Sequence, residues 1–200
     1  MYSSTLNKSE LRKLYLKERM TFSKEEIEDY SQTIFESFLK FFDLSEVKKV
    51  HCFLPIEKFN EINTFLFIHY FWENNIEVYV PKIIGEEMIS IKLEKSTELI
   101  KNSWGILEPK SNLYLSENNF DLVITPLLYC DKNGNRIGYG KGFYDKFFKK
   151  LNLETVKIGL NFFTPIQQIS DISDFDEKLD YLVTPTEILS FFDGISKFTK

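Results

Sequence analysis

Three alternating glycines, two basic residues and one carboxylate lie close together within residues 136–145. In chain order they are Arg136, Gly138, Gly140, Lys141, Gly142 and Asp145. Because glycine lacks a Cβ atom, the backbone N–H groups of such a segment can approach an anion closely. A helix that begins just after the glycines adds a positive partial charge at the same place. The pattern therefore predicts a loop that holds phosphate, with a metal-binding carboxylate at its end.

Regular elements on both sides are predicted to hold this loop in place. The apolar run 121–125, ended by Pro126, is typical of a buried strand, and the amphipathic run 143–151 predicts a helix. Further helices are predicted over residues 6–20, 23–42 and 61–74, and the second opens with a capping box. Further strands are predicted over residues 47–54, 76–80 (ended by Pro81), 88–93, 156–160 and 182–184, with 94–119 irregular.

Strands that alternate with helices predict an α/β layered fold with a largely parallel sheet. The chain has 200 residues, which fits a single domain over residues 1–200. The sequence shows neither an internal repeat nor an obvious linker between two folded units. We therefore expect one α/β domain, and a monomer is the default state for a chain of this length.

Composition and charge restrict the classes of partner. The net charge of −5 argues against binding to nucleic acid, which usually needs a basic face. No apolar run reaches the ~20 residues that span a bilayer, and the N-terminus lacks the apolar core of a signal peptide. Cys52 and Cys130 are expected to be reduced thiols, which indicates a cytoplasmic protein. His51 and His69 lack partners at the spacing of a zinc site.

The glycine loop, defined as residues 138–142, differs from two common phosphate-binding patterns. A Walker A loop requires G-x-x-x-x-G-K-[ST], but Asn135 stands where the first glycine should be and Gly142 replaces the Ser or Thr. A dinucleotide fingerprint requires G-x-G-x-x-G directly after a strand, which the spacing here does not match. The alternative is a glycine-rich turn in which Asn133-Gly134 forms the corner of a hairpin.

A longer pattern resembles a known family. The stretch Asp121-Leu-Val-Ile-Thr-Pro126, followed by Asp131-x-x-Gly-x-Arg-Ile-Gly-Tyr-Gly-Lys-Gly-Phe-Tyr-Asp145, resembles the signature of the 5-formyltetrahydrofolate cyclo-ligases. The other segments that match, in the same order, are Lys8-Ser-Glu-Leu-Arg12, Glu61-Ile-Asn-Thr64, Gly105-Ile-Leu-Glu-Pro109 and Asp180. The resemblance therefore extends over nearly the whole chain.

The resemblance implies a reaction and a fold. In that reaction, 5-formyltetrahydrofolate and ATP give 5,10-methenyltetrahydrofolate, ADP and phosphate. Phosphorylation of the formyl oxygen makes the formyl carbon a good electrophile for N10, and such a transfer depends mainly on positioning and charge stabilisation. The implied architecture is a three-layer α/β/α, Rossmann-like fold of the kind found in phosphosugar isomerases and CoA transferases.

The resemblance also implies roles for individual residues. The expected ATP contacts are Lys8, Arg12, Arg136, Ile137, Gly138, Tyr139, Gly140, Lys141, Gly142, Phe143 and Tyr144, with Arg136 and Lys141 as the catalytic pair. The expected folate contacts are Ile56, Glu61, Asn63, Trp104, Tyr139, Gly140, Lys141, Gly142 and Phe143. The expected ligands of a Mg²⁺ cofactor are Asp145 and Asp180.

Other interpretations of these residues stay open. Asp145 fits the start of a helix without any metal, and Asp180 lies in an acidic surface stretch. Tyr139 can be a surface aromatic. Asn63 stands where many family members carry Asp or Glu, and its amide cannot form a full ionic bond, so Glu61 is the alternative for that contact.

Two other classes of function compete with the cyclo-ligase. One is a phosphosugar isomerase or CoA-transferase-like enzyme that needs no ATP, although no catalytic Glu or Asp stands in a matching motif. The other is a non-catalytic protein that binds folate or nucleotide. The charged residues of the loop and of residues 8–12 argue against it, because a decayed site tends to lose them first.

Overall fold

The computed structural model describes residues 5–102, 105–110, 118–192 and 198–200. Within these residues the helices are α1 (Lys8–Arg19), α2 (Lys24–Phe41), α3 (Phe65–Glu73) and α4 (Phe143–Phe148), with a short 3₁₀ turn at Glu57–Phe59. The strands are β1 (Thr5–Leu6), β2 (Lys49–Cys52), β3 (Glu77–Ile84), β4 (Glu87–Lys92), β5 (Leu99–Lys101), β6 (Leu107–Pro109), β7 (Leu122–Pro126), β8 (Tyr129–Cys130), β9 (Arg136–Ile137), β10 (Val156–Leu160), β11 (Gln168–Ile169), β12 (Tyr181–Val183) and β13 (Ile188–Ser190).

A mostly parallel sheet forms the centre of the described part of the chain. Its strand order is β13-β12-β10-β7-β2-β3-β4. The five inner strands run parallel, and β4 and β13 pair antiparallel at the two edges. The predicted α/β fold with a largely parallel sheet is therefore confirmed.

Helices and loops cover both faces of this sheet. On one face, Ile34 and Phe38 of α2 and Phe67 of α3 share an apolar core with Val50 and Ile124 of the sheet. On the other face, Phe147 and Phe148 of α4 lie in a second core with Val123. Because both faces are buried, the inner strands are apolar on both sides, as parallel sheets usually are.

The first helix lies outside the central sheet and against a small hairpin. Leu11 and Tyr15 of α1 are buried with Tyr129 and Ile137 of the antiparallel pair β8–β9. The rings of Tyr15 and Tyr129 are stacked with centroids 4.1 Å apart. This packing places the N-terminal part of α1 beside the glycine loop, which follows β9 directly.

Signals that act within a few residues predicted the structure well. Ser23 and Glu26 form the predicted capping box at the start of α2, with reciprocal hydrogen bonds of 3.1 and 2.8 Å. Asn133-Gly134 forms the turn between β8 and β9, and Gly134 has a φ of 80°. The predicted hairpin corner is therefore present, and the glycine loop is a separate feature that follows it.

Pro81 does not end its strand, contrary to the prediction. The amide of Leu93 donates to the Val78 carbonyl (2.8 Å), so the alternating ladder places Pro81 opposite Ser90 in a pair without interstrand hydrogen bonds. The parallel partner β2 pairs with β3 only as far as Tyr79. The ring nitrogen of Pro81 therefore faces no strand among the described residues, and β3 continues through it.

The third helix begins later than predicted, at Phe65 rather than Glu61. Residues 61–64 fold back onto the loop that follows β2. Glu61 accepts a hydrogen bond from the Ile56 amide (2.8 Å), and the Thr64 hydroxyl donates to the Phe53 carbonyl (2.6 Å). These contacts hold Glu61 in the loop and turn it away from α3.

Two further predictions of elements were wrong in detail, and a further pair of strands was not predicted. The helix after the glycine loop ends at Phe148 rather than near residue 151. The region 94–119, predicted to be irregular, contains the antiparallel pair β5–β6. The short parallel pair β1–β11 was not predicted either.

In the part of the chain that the structure describes, no helix combines the length and apolar character that crossing a membrane requires.

Candidate functional site

A cavity of about 950 Å³ opens at the carboxyl ends of the central strands. Phe53 follows β2, Pro81 lies within β3 and Pro126 ends β7, and all three line the cavity. The glycine loop and the first residues of α1 and α4 form another part of its wall. Ligands of open α/β folds bind at this end of the sheet, where loops from neighbouring strands converge.

Most of the predicted site residues meet at this cavity. Those that line it are Lys8, Arg12, Ile56, Glu61, Arg136, Ile137, Gly138, Tyr139, Gly140, Lys141, Gly142, Phe143, Tyr144 and Asp145. The described part of the lining does not include Asn63 or Asp180. Trp104 lies outside the residues that the structure describes.

Arg136 and Asp145 form an ion pair at the wall of the cavity. Arg136 Nη1 donates to Asp145 Oδ1 (2.9 Å) and to the Glu177 carbonyl (2.8 Å). Its guanidinium also lies 4.6 Å from the ring centre of Phe148. Only 6% of the Arg136 side chain is exposed, so its orientation is set before any ligand binds. The three N–H groups on Nε and Nη2 form no hydrogen bond to the described residues.

Arg12 lies directly against the glycine loop. Its Nε donates to the Gly138 carbonyl at 2.9 Å. Gly140 has a φ of +88°, and a Cβ atom at this position would lie 3.2 Å from the Arg12 guanidinium carbon. A glycine is therefore needed at residue 140 for two reasons, the left-handed backbone and the close approach of the arginine.

The two lysines of the site are held differently. The Lys8 ammonium forms a 2.5 Å ion pair with Asp176, which also lines the cavity. Lys141 is exposed, and none of the carboxylates that the structure describes lies within ion-pair distance of its ammonium. Lys141 can thus turn toward an anion in the cavity. Lys8 must first break its ion pair with Asp176 before it can bind such an anion.

Glu61 lies deeper in the cavity and accepts hydrogen bonds from two groups. Tyr139 donates its hydroxyl proton to Glu61 Oε1 (2.5 Å), and the Ile56 amide donates to Oε2 (2.8 Å). Arg19 Nη2 in turn donates to the Tyr139 hydroxyl oxygen (2.5 Å). Burial raises the pKa of Glu61, while the Arg19 charge and the two hydrogen bonds oppose that rise.

Arg19 is a residue of the site that sequence reasoning missed. It is 3% exposed and lies on the buried face of α1 together with Leu11 and Tyr15, at i, i+4 and i+8. The signal that could have revealed it is a basic residue on an otherwise apolar helix stripe. A buried arginine needs a partner, because an isolated buried charge is costly.

Apolar side chains form the broadest part of the cavity wall. Phe59 stacks on Tyr139 with ring centroids 5.3 Å apart. Ile56, Ile83 and Met88 lie on the same cavity. The site therefore combines a basic region at the glycine loop with an apolar region that contains one buried carboxylate.

Asn63 and Asp180 serve local structure at a distance from this cavity. The Asn63 side-chain oxygen accepts the Phe65 amide (3.2 Å) at the start of α3. Asp180 Oδ2 accepts the amide of Lys157 (2.7 Å), and the Lys157 ammonium lies 3.8 Å from the other oxygen. Their predicted contacts to folate and to metal remain predictions.

The chemistry of Asp145 fits a magnesium ligand. No group of three or more His, Cys, Asp or Glu side chains that could hold a metal lies within the described ranges. Magnesium, however, is often bound by one or two carboxylates together with substrate phosphates and water. Asp145 Oδ1 accepts from Arg136 and from the Glu177 amide, whereas Oδ2 accepts no hydrogen bond from the described residues. One oxygen is thus held by the protein and the other can bind a cation.

A pair of glycine variants tests the close approach of Arg12. We expect Gly140→Ala to lower the free energy of unfolding by about 1–3 kcal/mol, because alanine is strained at positive φ and displaces Arg12. Gly138→Ala is the matched control, since its φ is ordinary and an added Cβ meets nothing within 4 Å. Urea unfolding of both variants measures the difference. Equal losses of stability in the two variants would contradict the need for glycine at residue 140.

Comparisons with known proteins show which family the chain resembles. A profile of the 5-formyltetrahydrofolate cyclo-ligase family matches residues 4–185. The chain is 29% identical over 185 residues to the 5-formyltetrahydrofolate cyclo-ligase of Mycoplasma pneumoniae, covering 89% of this chain and 98% of that protein. It is 29% identical over 147 residues to the enzyme of the same name from Haemophilus influenzae, covering 70% and 76%.

A solved structure shows the same fold. The NMR structure of Aquifex aeolicus 5,10-methenyltetrahydrofolate synthetase superposes with a TM-score of 0.79 at 26% identity, covering 94% of this chain and 95% of that one. The family profile spans residues 4–185, which is most of the chain. The chain therefore belongs to the 5-formyltetrahydrofolate cyclo-ligase family.

Proposed function

We propose that this protein is an ATP- and Mg²⁺-dependent enzyme that converts 5-formyltetrahydrofolate into 5,10-methenyltetrahydrofolate, with release of ADP and phosphate. One observation carries the proposal. A single cavity of about 950 Å³ joins the basic glycine-loop region to an apolar region with a buried carboxylate. The first region suits a nucleoside triphosphate, and the second region suits a pterin ring. The reaction requires the two substrates side by side.

The basic region supports phosphoryl transfer from ATP to the formyl oxygen. Arg136 is oriented by Asp145 and Glu177 and still presents N–H donors, so it suits the planar geometry of phosphate oxygens. Lys141 adds a mobile charge that can follow the transferring group. Groups of this kind stabilise the charge that develops in the transition state and need little rearrangement during the reaction.

Arg12 and the glycine loop would hold the remaining phosphates. The Arg12 guanidinium is fixed on the loop by the Gly138 carbonyl. Lys8, on the same face of α1, reaches the cavity from the side of Asp176. Mg²⁺, bound at Asp145 and at phosphate oxygens, would neutralise part of the triphosphate charge.

The apolar region supports binding of the folate. Glu61 lines this region and would accept hydrogen bonds from N–H groups of the pterin, and Tyr139 and Phe59 would offer an aromatic surface beside it. In ring closure, N10 then attacks the activated formyl carbon and loses its proton, and the phosphorylated formyl oxygen leaves as phosphate. Binding both substrates in one cavity supplies the required proximity and excludes water from the phosphorylated intermediate.

Several broader properties belong to the same proposal. We propose that the three layers form a Rossmann-like fold within one domain over residues 1–200. We further propose a monomer that acts in the cytoplasm on small molecules and does not bind nucleic acid. The net charge of −5 is consistent with the last of these.

The direct test is product formation by the purified protein. With ATP, Mg²⁺ and 5-formyltetrahydrofolate, we expect the methenyl chromophore to accumulate, and omission of either ATP or Mg²⁺ should abolish it. The control is the same mixture with Lys141→Ala, in which the rate should fall while the protein stays folded. Tight folate binding without any product would replace the proposal with the non-catalytic binding protein.

A further inference from the structure

Arg19, Tyr139 and Glu61 form a continuous chain of hydrogen bonds behind the apolar region of the cavity. The guanidinium donates to the phenol oxygen, and the phenol donates to the carboxylate. The donor–acceptor distance is 2.5 Å in both hydrogen bonds. The three residues come from α1, the glycine loop and the loop after β2, and are separated by up to 120 positions in sequence. No short sequence motif places them together, and only the fold brings the three hydrogen-bonding residues into contact.

The donors and acceptors allow only one direction along this chain. Arginine has donors and no acceptor, so the Tyr139 oxygen must accept from Arg19 and its single proton points to Glu61. The second oxygen of Glu61 accepts the Ile56 amide, which also can only donate. Glu61 therefore receives a proton donor on each oxygen, and this pattern suits a carboxylate, whose two oxygens both act as acceptors.

The ring of Tyr139 is fixed as well as its hydroxyl. It stacks on Phe59, and the Arg19 guanidinium carbon lies 5.8 Å from its ring centre. Arg19 is itself anchored, because Nη1 donates to the Leu127 carbonyl at the end of the strand region (3.2 Å). The carboxylate thus rests on two side chains whose positions are set by packing.

We propose that Arg19 is a positioning residue for the folate substrate: through the Tyr139 hydroxyl it aligns the Glu61 carboxylate at the cavity wall, as the acceptor for an N–H group of the pterin. This inference rests on the proposed function. It gives Tyr139 a second role besides covering the substrate, and it assigns a role in binding to an arginine that does not line the cavity. Glu61 keeps further acceptor sites toward the ligand, because each carboxylate oxygen accepts two hydrogen bonds.

The acid limit of folate binding follows from the same arrangement. Burial raises the pKa of Glu61, and the Arg19 charge and the Tyr139 hydrogen bond lower it again. Among the described residues, Tyr144 of α4 also interacts with Glu61, and burial raises the pKa of Tyr144, so it stays neutral. Removing Arg19 or the hydroxyl makes ionisation of Glu61 harder. The loss of folate binding on acidification then begins at a higher pH.

Direct binding of 5-formyltetrahydrofolate, measured by calorimetry over a pH series, tests this inference. Tyr139→Phe keeps the stacked ring and removes only the hydroxyl, and we expect the Kd near neutral pH to rise on the order of 10-fold. The acid limb of its pH profile, which is the pH range in which acidification abolishes folate binding, should move to higher pH. Arg19→Gln should show the same two changes, and Arg19→Lys should recover part of the affinity.

Two further variants separate positioning from a general loss of structure. Tyr15→Phe removes a hydroxyl on α1 that bonds to Gln167 outside the cavity, and it should leave folate binding unaltered. In a Glu61→Gln background, Tyr139→Phe should no longer shift the acid limb, because the group that it acts on cannot titrate. Circular dichroism and thermal unfolding check that each variant is folded.

The outcomes distinguish the positioning role of Arg19 from the proposed reaction. An unchanged Kd and pH profile in Tyr139→Phe overturns the positioning role, even if the parent enzyme makes product. A full effect of Tyr139→Phe in the Glu61→Gln background overturns it too. If the parent binds folate, shows both shifts and yet forms no methenyl product, the positioning role stands and the proposed reaction fails. A parent protein that does not bind folate refutes both.

Discussion

Replacing Arg136 with alanine is expected to lower kcat on the order of 10²- to 10³-fold, the usual cost of losing one preorganised group that stabilises developing charge. The KM for folate should change little, because Arg136 lies at the phosphate region. The structure adds a second effect. Asp145 and the Glu177 carbonyl both lose the hydrogen bond from Arg136, so stability should fall by about 1–3 kcal/mol.

Arg136→Lys separates the two effects. Lysine keeps the positive charge but has one ammonium and no planar fork, so it cannot hold Asp145, Glu177 and a phosphate at the same time. We expect stability close to that of the parent protein and a kcat between the two extremes. Steady-state rates, corrected for the folded fraction from thermal unfolding, provide the measurement. A kcat of Arg136→Ala equal to that of the parent would exclude Arg136 from the reacting phosphates.

The second large effect is expected for Asp145→Asn. Asparagine keeps the size and the oxygen that accepts from Arg136, so the fold should be preserved. It loses the negative charge that attracts a cation at Oδ2. Loss of groups that only support metal ligands costs about 10- to 100-fold in metal affinity, and loss of a direct ligand should cost at least as much. The Mg²⁺ concentration for half-maximal rate should therefore rise by about 10-fold or more.

Asp180→Asn is the informative partner of this variant. Asp180 is the second metal ligand that the resemblance predicts, but its carboxylate binds the amide and approaches the ammonium of Lys157. A shift in the Mg²⁺ titration similar to that of Asp145→Asn would support the second ligand, and an unchanged titration would exclude it. If the titration of Asp145→Asn itself coincides with that of the parent, the metal assignment at this site is wrong.

The elements that the sequence predicted well depend on local hydrogen bonds and on hydrophobic periodicity. The capping box at Ser23 and the corner at Gly134 are formed by residues a few positions apart, so their type and spacing are sufficient evidence. The prediction that Pro81 ends its strand was wrong because it depends on contacts that are not local. Whether a proline interrupts a strand depends on which neighbours flank it in the sheet, and those neighbours come from distant parts of the chain.

The candidate site divides in the same way. Arg136, the glycine loop and Asp145 are close in sequence, and their grouping at one cavity could be expected from the motif. Asn63 and Glu61 are two residues apart, yet only Glu61 lines the cavity. The reason is that residues 61–64 fold back on the loop after β2 and do not begin a helix. A pattern of residue types contains no record of that reversal.

By itself, the sequence determined the α/β character, the family and the identity of the charged residues that could bind phosphate. These follow from periodicity and from a motif whose parts lie side by side. Only the tertiary structure decided which charges meet. Glu61 and Tyr139 are 78 positions apart, and they meet with Arg19 because α1 packs on the β8–β9 hairpin. Long-range packing sets such contacts, and the apolar helix stripe that contains Arg19 does not reveal which residues it will meet.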